Sequence, residues 1–261
     1  MSTCLKGNKV LVVFDFDSTL VDANSDTIFT EVLAPDLMPM YGKLVLSDGL
    51  SWVATVNAML RRLHELGHGA EAIRGSLGRV PIAAGMRRVV DLIAASEGRL
   101  EAIVVSDSND LFIDWILSAL AIPASLFRRI YTNAASVSPE GLITVVGFHN
   151  HHATPHSCHR LEPRCPERLC KTAALSEYLD EFSSSPYRTK IYLGDGKGDA
   201  CPCLSPLFGP EDSVLARRGW ALAKFLSSAS PSELRARLLL WDTDDIFDQF
   251  SHALSLSSSS L

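Results

Sequence analysis

Apolar residues gather into three short runs that each end abruptly in polar ones. Residues 9–14 (KVLVVF) stop at Asp15, residues 100–105 (LEAIVV) at Ser106-Asp107, and residues 189–193 (TKIYL) at Gly194-Asp195. A β-branched run without polar alternation predicts a strand buried on both faces, which is the habit of parallel sheets. Three such strands with polar C-terminal ends predict a Rossmann-like, doubly wound α/β sheet whose site lies along that edge.

Elsewhere the period lengthens to that of helices. Ser51 is placed to cap a helix with an apolar face of Trp52, Val53, Val56, Leu60 and Leu63, closed near Gly67. Residues 70–77 form a second, shorter helix, and a third carries Met86, Val89, Val90 and Ile93. Leu111, Phe112, Trp115, Ile116 and Ala119 mark a core helix after the second strand. Short strands are expected over 128–148 around Pro139-Glu-Gly, and helices over 171–182, 220–226 and 231–240. The serine-rich tail 255–260 reads as disordered, and 183–185 as a polar loop. The stretch between the first two strands is too long for a simple crossover. It divides the chain into a catalytic core (1–21 and 81–261) and an inserted helical cap (22–80).

With 261 residues, 47% of them hydrophobic, the chain can bury one sizeable core and still build an accessory unit. Its net charge of −6 provides no basic patch, which argues against nucleic acid as a partner. The first residues lack a long apolar stretch and a small-residue cleavage site, and no apolar run approaches the ~18 residues that span a bilayer. The expectation is a cytoplasmic protein with no membrane and no obligate protein partner, and with its six cysteines reduced.

Chemistry concentrates at the strand ends. Asp15 and Asp17, two residues apart on a chain leaving a strand, can face one crevice, where close like charges let one stay ionised while the other keeps a proton. That division suits phosphoryl transfer, with Asp15 as nucleophile and Asp17 as proton donor to the leaving oxygen and then as base for water. Ser106 can donate to a phosphate oxygen or cap the next helix. Lys171, opening a helix, can offer its ammonium to the same phosphate. In Gly194-Asp195-Gly196-Lys197-Gly198-Asp199 two acids sit in a turn whose glycines, Gly196 among them, let the backbone approach a ligand. Such hard oxygens suit Mg²⁺.

Together these four elements resemble the haloacid dehalogenase superfamily, whose motifs are D-x-D-x-T/V, a Ser or Thr after a strand, a distant Lys, and G-D-x-x-x-D. The resemblance implies that the Asp15 carboxylate, the Asp17 carbonyl and Asp195 hold Mg²⁺ with Asp199 in support. It also implies that the helical insert is a cap of the C1 type. The strings FDFDSTLVDANSD, VVSDSN, CPERLCK and GDGKGDACP further resemble the phosphoethanolamine/phosphocholine phosphatase (PHOSPHO) family, including plant members described as pyrophosphatases or thiamine-phosphate phosphatase-like proteins. Lys197, where a small neutral residue is expected, and extra residues near 161–164 depart from that pattern.

The resemblance implies that Asp26 and Asp107 face a substrate's amino or trimethylammonium group. An independent argument agrees: extra carboxylates beside an acidic site repel a phosphomonoester unless it carries a cation. The alternative for both is helix capping. The expected substrate is thus a small phosphorylated metabolite, phosphocholine or phosphoethanolamine. The alternatives are inorganic pyrophosphate, pyridoxal or thiamine phosphate, and, from another class, a non-catalytic phospho-ligand module. The histidines and cysteines of 149–170 have a C-x6-C-x4-C spacing unlike a paired zinc knuckle, so that loop reads as structural without metal.

Overall fold

The computed structural model describes residues 9–151, 169–182, 187–230 and 232–258. Seven strands form one sheet in the order β4-β3-β2-β1-β5-β6-β7. They are β1 (Val10–Phe14), β2 (Leu100–Asn109), β3 (Phe127–Val137), β4 (Ile143–Val146), β5 (Thr189–Gly194), β6 (Ser213–Arg217) and β7 (Arg237–Trp241). All neighbours pair in parallel except β3 and β4, a hairpin.

Every residue of the central strand β1 is buried, and the pleat splits them between two cores. Val10, Val12 and Phe14 pack with Met86, Val89, Phe112, Ile246 and Phe250 on one face, and Leu11 and Val13 with Leu175, Tyr178 and Leu222 on the other. Each fully buried Leu or Phe stabilises the fold by about 1.5–3 kcal/mol relative to exposure. Helices α5 (Ala84–Ala94), α6 (Asp110–Ala119) and α10 (Ile246–Ser258) supply the first layer. Helices α7 (Lys171–Glu181), α8 (Ala200–Cys203) and α9 (Ala221–Ser227) supply the second. The doubly wound parallel sheet expected from the three apolar runs is therefore present.

Between β1 and β2 the chain forms α1 (Ile28–Leu33), α2 (Pro39–Gly42), α3 (Trp52–Glu65) and α4 (Ala70–Leu77) before α5. Ser51 caps α3 by accepting the Ala54 N–H. The two ends of this excursion meet, because the Asp22 N–H donates to the Pro81 carbonyl at 2.9 Å. Its far side is fastened to the β3–β4 hairpin. The Asn57 amide donates to the Val145 carbonyl and accepts from the Val145 N–H (2.7 and 2.8 Å), and the Ala70 N–H donates to the Gly141 carbonyl.

Three expectations need correction. The helix expected over 231–240 is replaced by β7, because the Leu-rich run pairs as a parallel edge strand with β6 instead of following its helical period. Residues 255–258 are not disordered but complete α10, which buried Ile246, Phe250 and Ala253 anchor against the sheet. Ala119 is exposed, and Ile113 and Leu117 take the buried positions of α6. The polar loop at 183–185 and most of the Cys/His segment, His152 to Cys165, lie outside the described residues.

Candidate active site

The sheet register brings the sequence motifs to one edge. Phe14 lies beside Val104 on one side and Leu193 on the other, so Asp15, Ser106 and Gly194-Asp195 come to the same edge of the sheet. The turn after β1 is irregular: Asp17 is extended (ψ 137°) and Ser18 adopts a left-handed φ of 55°. Asp15 accepts the Phe16 N–H at 2.7 Å. Both Asp17 oxygens are held at 2.9 Å by Ser25, one by its N–H and one by its hydroxyl.

Lys171, at the start of α7, is buried and reaches two carboxylates, Asp15 Oδ1 at 2.7 Å and Asp199 Oδ1 at 2.8 Å. Asp199 is fully buried, and its oxygens are engaged by four donors. Lys171 and the Tyr192 hydroxyl bond Oδ1, while the N–H groups of Gly196 and Asp195 bond Oδ2. Asp199 thus orients the turn that presents Asp195, and Thr19 donates to Asp195 at 3.1 Å. The approach is so close that a Cβ on Gly194 would lie 2.7 Å from Asp199 Cγ, which is why the strand ends in glycine.

Ser106 is buried and its hydroxyl accepts the Ser108 N–H, leaving its own O–H to donate. It does not cap α6; Asn109 does, accepting the Phe112 N–H. Asp107 is exposed beside it. Asp26 is 4% exposed and caps no helix. Its Oδ2 accepts the indole N–H of Trp52 at 2.7 Å, and the Tyr41 hydroxyl donates to its carbonyl. Gly196 contributes an N–H to Asp199.

Burial raises four of these acids, Asp15, Asp17, Asp26 and Asp195. It pushes Asp17 up to about 7, despite the Ser25 hydrogen bonds that favour the charged form. Burial and then Asp199 push Asp195 up to about 6. Asp15 is also raised, by burial and Asp199, against the pull of Lys171, and Asp26 by burial, Asp17 and Asp107. For Lys171, burial acts downward but Asp15 and Asp199 outweigh it, so its ammonium stays charged. Asp15, Asp195 and Asp199 each bring a carboxylate oxygen within 4.8 Å of the others. Three buried acids around one ammonium leave an uncompensated negative charge, and the all-oxygen donor set fits a hard divalent cation.

The expected residues Asp15, Asp17, Ser106, Lys171, Asp195 and Asp199 therefore meet at one edge, with Asp26 and Asp107 beside Asp17. Sequence reasoning overlooked Ser25, Trp52, Tyr192 and Arg217; the partners of Trp52 and Arg217 come from distant segments and leave no local pattern. Ser25, eight residues after Asp17, and Tyr192, seven before Asp199, were within reach of a local reading.

Residues 10–254 match the family model described as Putative Phosphatase. Mouse pyridoxal phosphate phosphatase PHOSPHO2 is 30% identical over 239 residues, covering 90% of this chain and 94% of that protein. Arabidopsis thaliana inorganic pyrophosphatase 2 is 31% identical, covering 92% and 82%, and human phosphoethanolamine/phosphocholine phosphatase is 30% identical, covering 90% and 85%. A substrate-bound phosphoserine phosphatase shares the fold with a TM-score of 0.54 at 14% identity, covering 87% of this chain and 94% of that one. With a matching model along nearly its whole length and relatives about 30% identical over most of theirs, the chain belongs to the Putative Phosphatase family, on a fold shared with phosphoserine phosphatase.

Proposed function

We propose that this chain is a Mg²⁺-dependent phosphomonoesterase that works through an aspartyl-phosphate on Asp15, with phosphocholine or phosphoethanolamine as substrate. The observation that carries the mechanism is the contrast between two neighbouring carboxyls. Asp15 sits 2.7 Å from the Lys171 ammonium, which opposes the rise burial imposes on it, whereas Asp17 has no cation among its described partners and burial pushes it up to about 7.

Asp15 attacks phosphorus while Ser106 O–H and Lys171 hold phosphate oxygens, and Asp17 gives its proton to the departing alkoxide. A water molecule then passes a proton back to Asp17 and attacks the phosphorylated Asp15, releasing inorganic phosphate and the free carboxylate. The Asp15 carboxylate, the Asp17 carbonyl and Asp195 would hold Mg²⁺, which when bound would supply positive charge to the phosphoryl oxygens. Asp199 fixes Lys171 and the Asp195 turn. Residues 22–80 serve as the cap over this edge.

Substrate choice rests on Asp26 and Asp107. Asp26 is a buried carboxylate that the chemistry does not use, held by Trp52 and electrostatically linked to Asp17 and Asp107. A substrate carrying its own cation offsets that charge, whereas pyrophosphate, anionic at both ends, adds to it. The relatives' names divide among an aminoalcohol monoester, pyridoxal phosphate and pyrophosphate, so kcat/KM measured across those substrates, thiamine phosphate and p-nitrophenyl phosphate decides. The expected order puts the aminoalcohol monoesters first, with Asp107→Asn raising KM for them and leaving p-nitrophenyl phosphate nearly unchanged. A higher kcat/KM for pyrophosphate, or an equal loss on both substrates, would remove the amine reading.

A further inference from the structure

Arg217 ends β6 and is 8% exposed, yet no motif includes it. Its guanidinium is flanked by the rings of Trp220 and Trp241, at 4.8 and 5.4 Å. One arm, Nη1, donates to the Ser18 carbonyl and the other, Nη2, to Asp22 Oδ1, both at 2.6 Å. Among the described residues only Ser18, Glu97 and Ala121 are non-glycine positions with positive φ, and Ser18 alone lies in the turn between Asp15 and Asp17 and their supports. A serine persists in that conformation when its surroundings impose it. Its N–H is bonded to the Ala23 carbonyl and its carbonyl to Arg217, so both of its peptide groups are held.

We infer that Arg217 is a positioning residue that ties the catalytic turn to the neck of the helical insert. Its two arms grip residues 18 and 22 of a single loop. That loop continues to Ser25, which holds both Asp17 oxygens, and Asp22 itself bonds Pro81, where the chain returns from the insert. Movement of the neck is thereby transmitted to the carboxyl assigned as proton donor. The kinetic part of this inference rests on the phosphatase reading above, whereas the structural part stands without it.

Arg217→Lys separates positioning from simple support. Lysine keeps the charge under the two tryptophans but has no planar fork, so it cannot bridge Ser18 and Asp22 together. Hydrogen exchange should quicken by about tenfold or more in peptides covering 16–25, with β6 and β7 unchanged. With p-nitrophenyl phosphate, kcat should fall by about tenfold or more while KM stays within about twofold, because Ser106 and Lys171 sit on other elements. Asp22→Asn, which removes the ion pair and leaves the Ser18 bond, should show a smaller change in both readouts. Added to Arg217→Lys, it should cause no further loss, as two members of one linkage are not additive.

Unaltered exchange over 16–25, loosening confined to β6 and β7, an unchanged kcat, or a loss appearing only in KM would overturn the inference. Should Arg217→Lys fail to fold, Asp22→Asn alone must quicken exchange over 16–25 or the inference falls. A wild-type protein that hydrolyses no phosphomonoester, but whose variants still show the exchange change, would remove the functional reading and leave the linkage standing.

Discussion

A carboxyl group can act as a proton donor near neutrality only if its surroundings hold the proton, and for Asp17 burial does so. The Ser25 bonds work the other way, favouring the charged form and limiting the rise to about 7. If Asp17 must be protonated when the leaving group departs, activity is present below that value and lost as pH rises through it. Ser25→Ala removes the hydroxyl bond, so the alkaline limb of kcat should move to higher pH. A limb that stays in place or moves down would show that a different group sets it. At Asp15 the expected effect is larger. Asp15→Asn keeps the shape but loses the attacking charge, so turnover of p-nitrophenyl phosphate should fall by about 10⁴-fold or more. Near-normal turnover would rule out the covalent route. These two acids were legible because each stands directly after a strand-forming run. Trp52 and Arg217 were not, because what they do is defined by a partner that folding brings to them.

Elements were legible where periodicity and burial agree. The runs at β1, β2 and β5 are buried and unbroken, and α3 and α5 show one apolar face each. Reading failed at the edges of the molecule, where one neighbour decides. β7 has a single partner strand and four half-buried residues, so its Leu run carried no period of two to distinguish it from a helix. The serine-rich tail read as disordered, yet α10, anchored by Ile246, Phe250 and Ala253, runs on to Ser258. The fastening of the insert to the β3–β4 hairpin was equally silent, since Asn57 bonds a backbone 88 residues away. Asn57→Ala leaves the Val145 N–H and carbonyl without these partners, so stability should drop by roughly 1–3 kcal/mol. Because α3 also carries Trp52, KM for an aminoalcohol phosphate should rise more than KM for p-nitrophenyl phosphate. Chemical unfolding and two KM measurements check both parts, and a loss of stability with no change in KM would detach the hairpin from substrate binding.

At the scale of the whole molecule, the fold gathers like charge where it can least be solvated. The ends of β1, β2 and β5 bring Asp15 and Asp195 together, and Asp199 follows within the same buried turn. Among the described residues within reach, Lys171 supplies one balancing charge. Acids gathered this way cost stability when ionised without a cation beside them, and on the proposed reading Mg²⁺ offsets that cost. Asp195 gives the cost a sign. Its folded pKa of about 6 lies above its ordinary value, so its contribution to stability is present below about pH 4 and lost as pH rises through 6. At pH 7.5 the metal-free protein therefore carries an ionised group that folding disfavours. Asp195→Asn removes that charge but keeps an oxygen to accept from Thr19. The metal-free variant should consequently melt at a higher temperature than the wild-type protein while losing its phosphatase activity. Mg²⁺ at about 100 times its Kd should stabilise the wild-type fold by roughly 2.7 kcal/mol, and the variant far less. Thermal melts of both proteins in chelator and in Mg²⁺ give all four values. A lower melting temperature for the metal-free variant would mean that Asp195 is structural support, and an equal Mg²⁺ shift in both proteins would mean that the cation binds elsewhere.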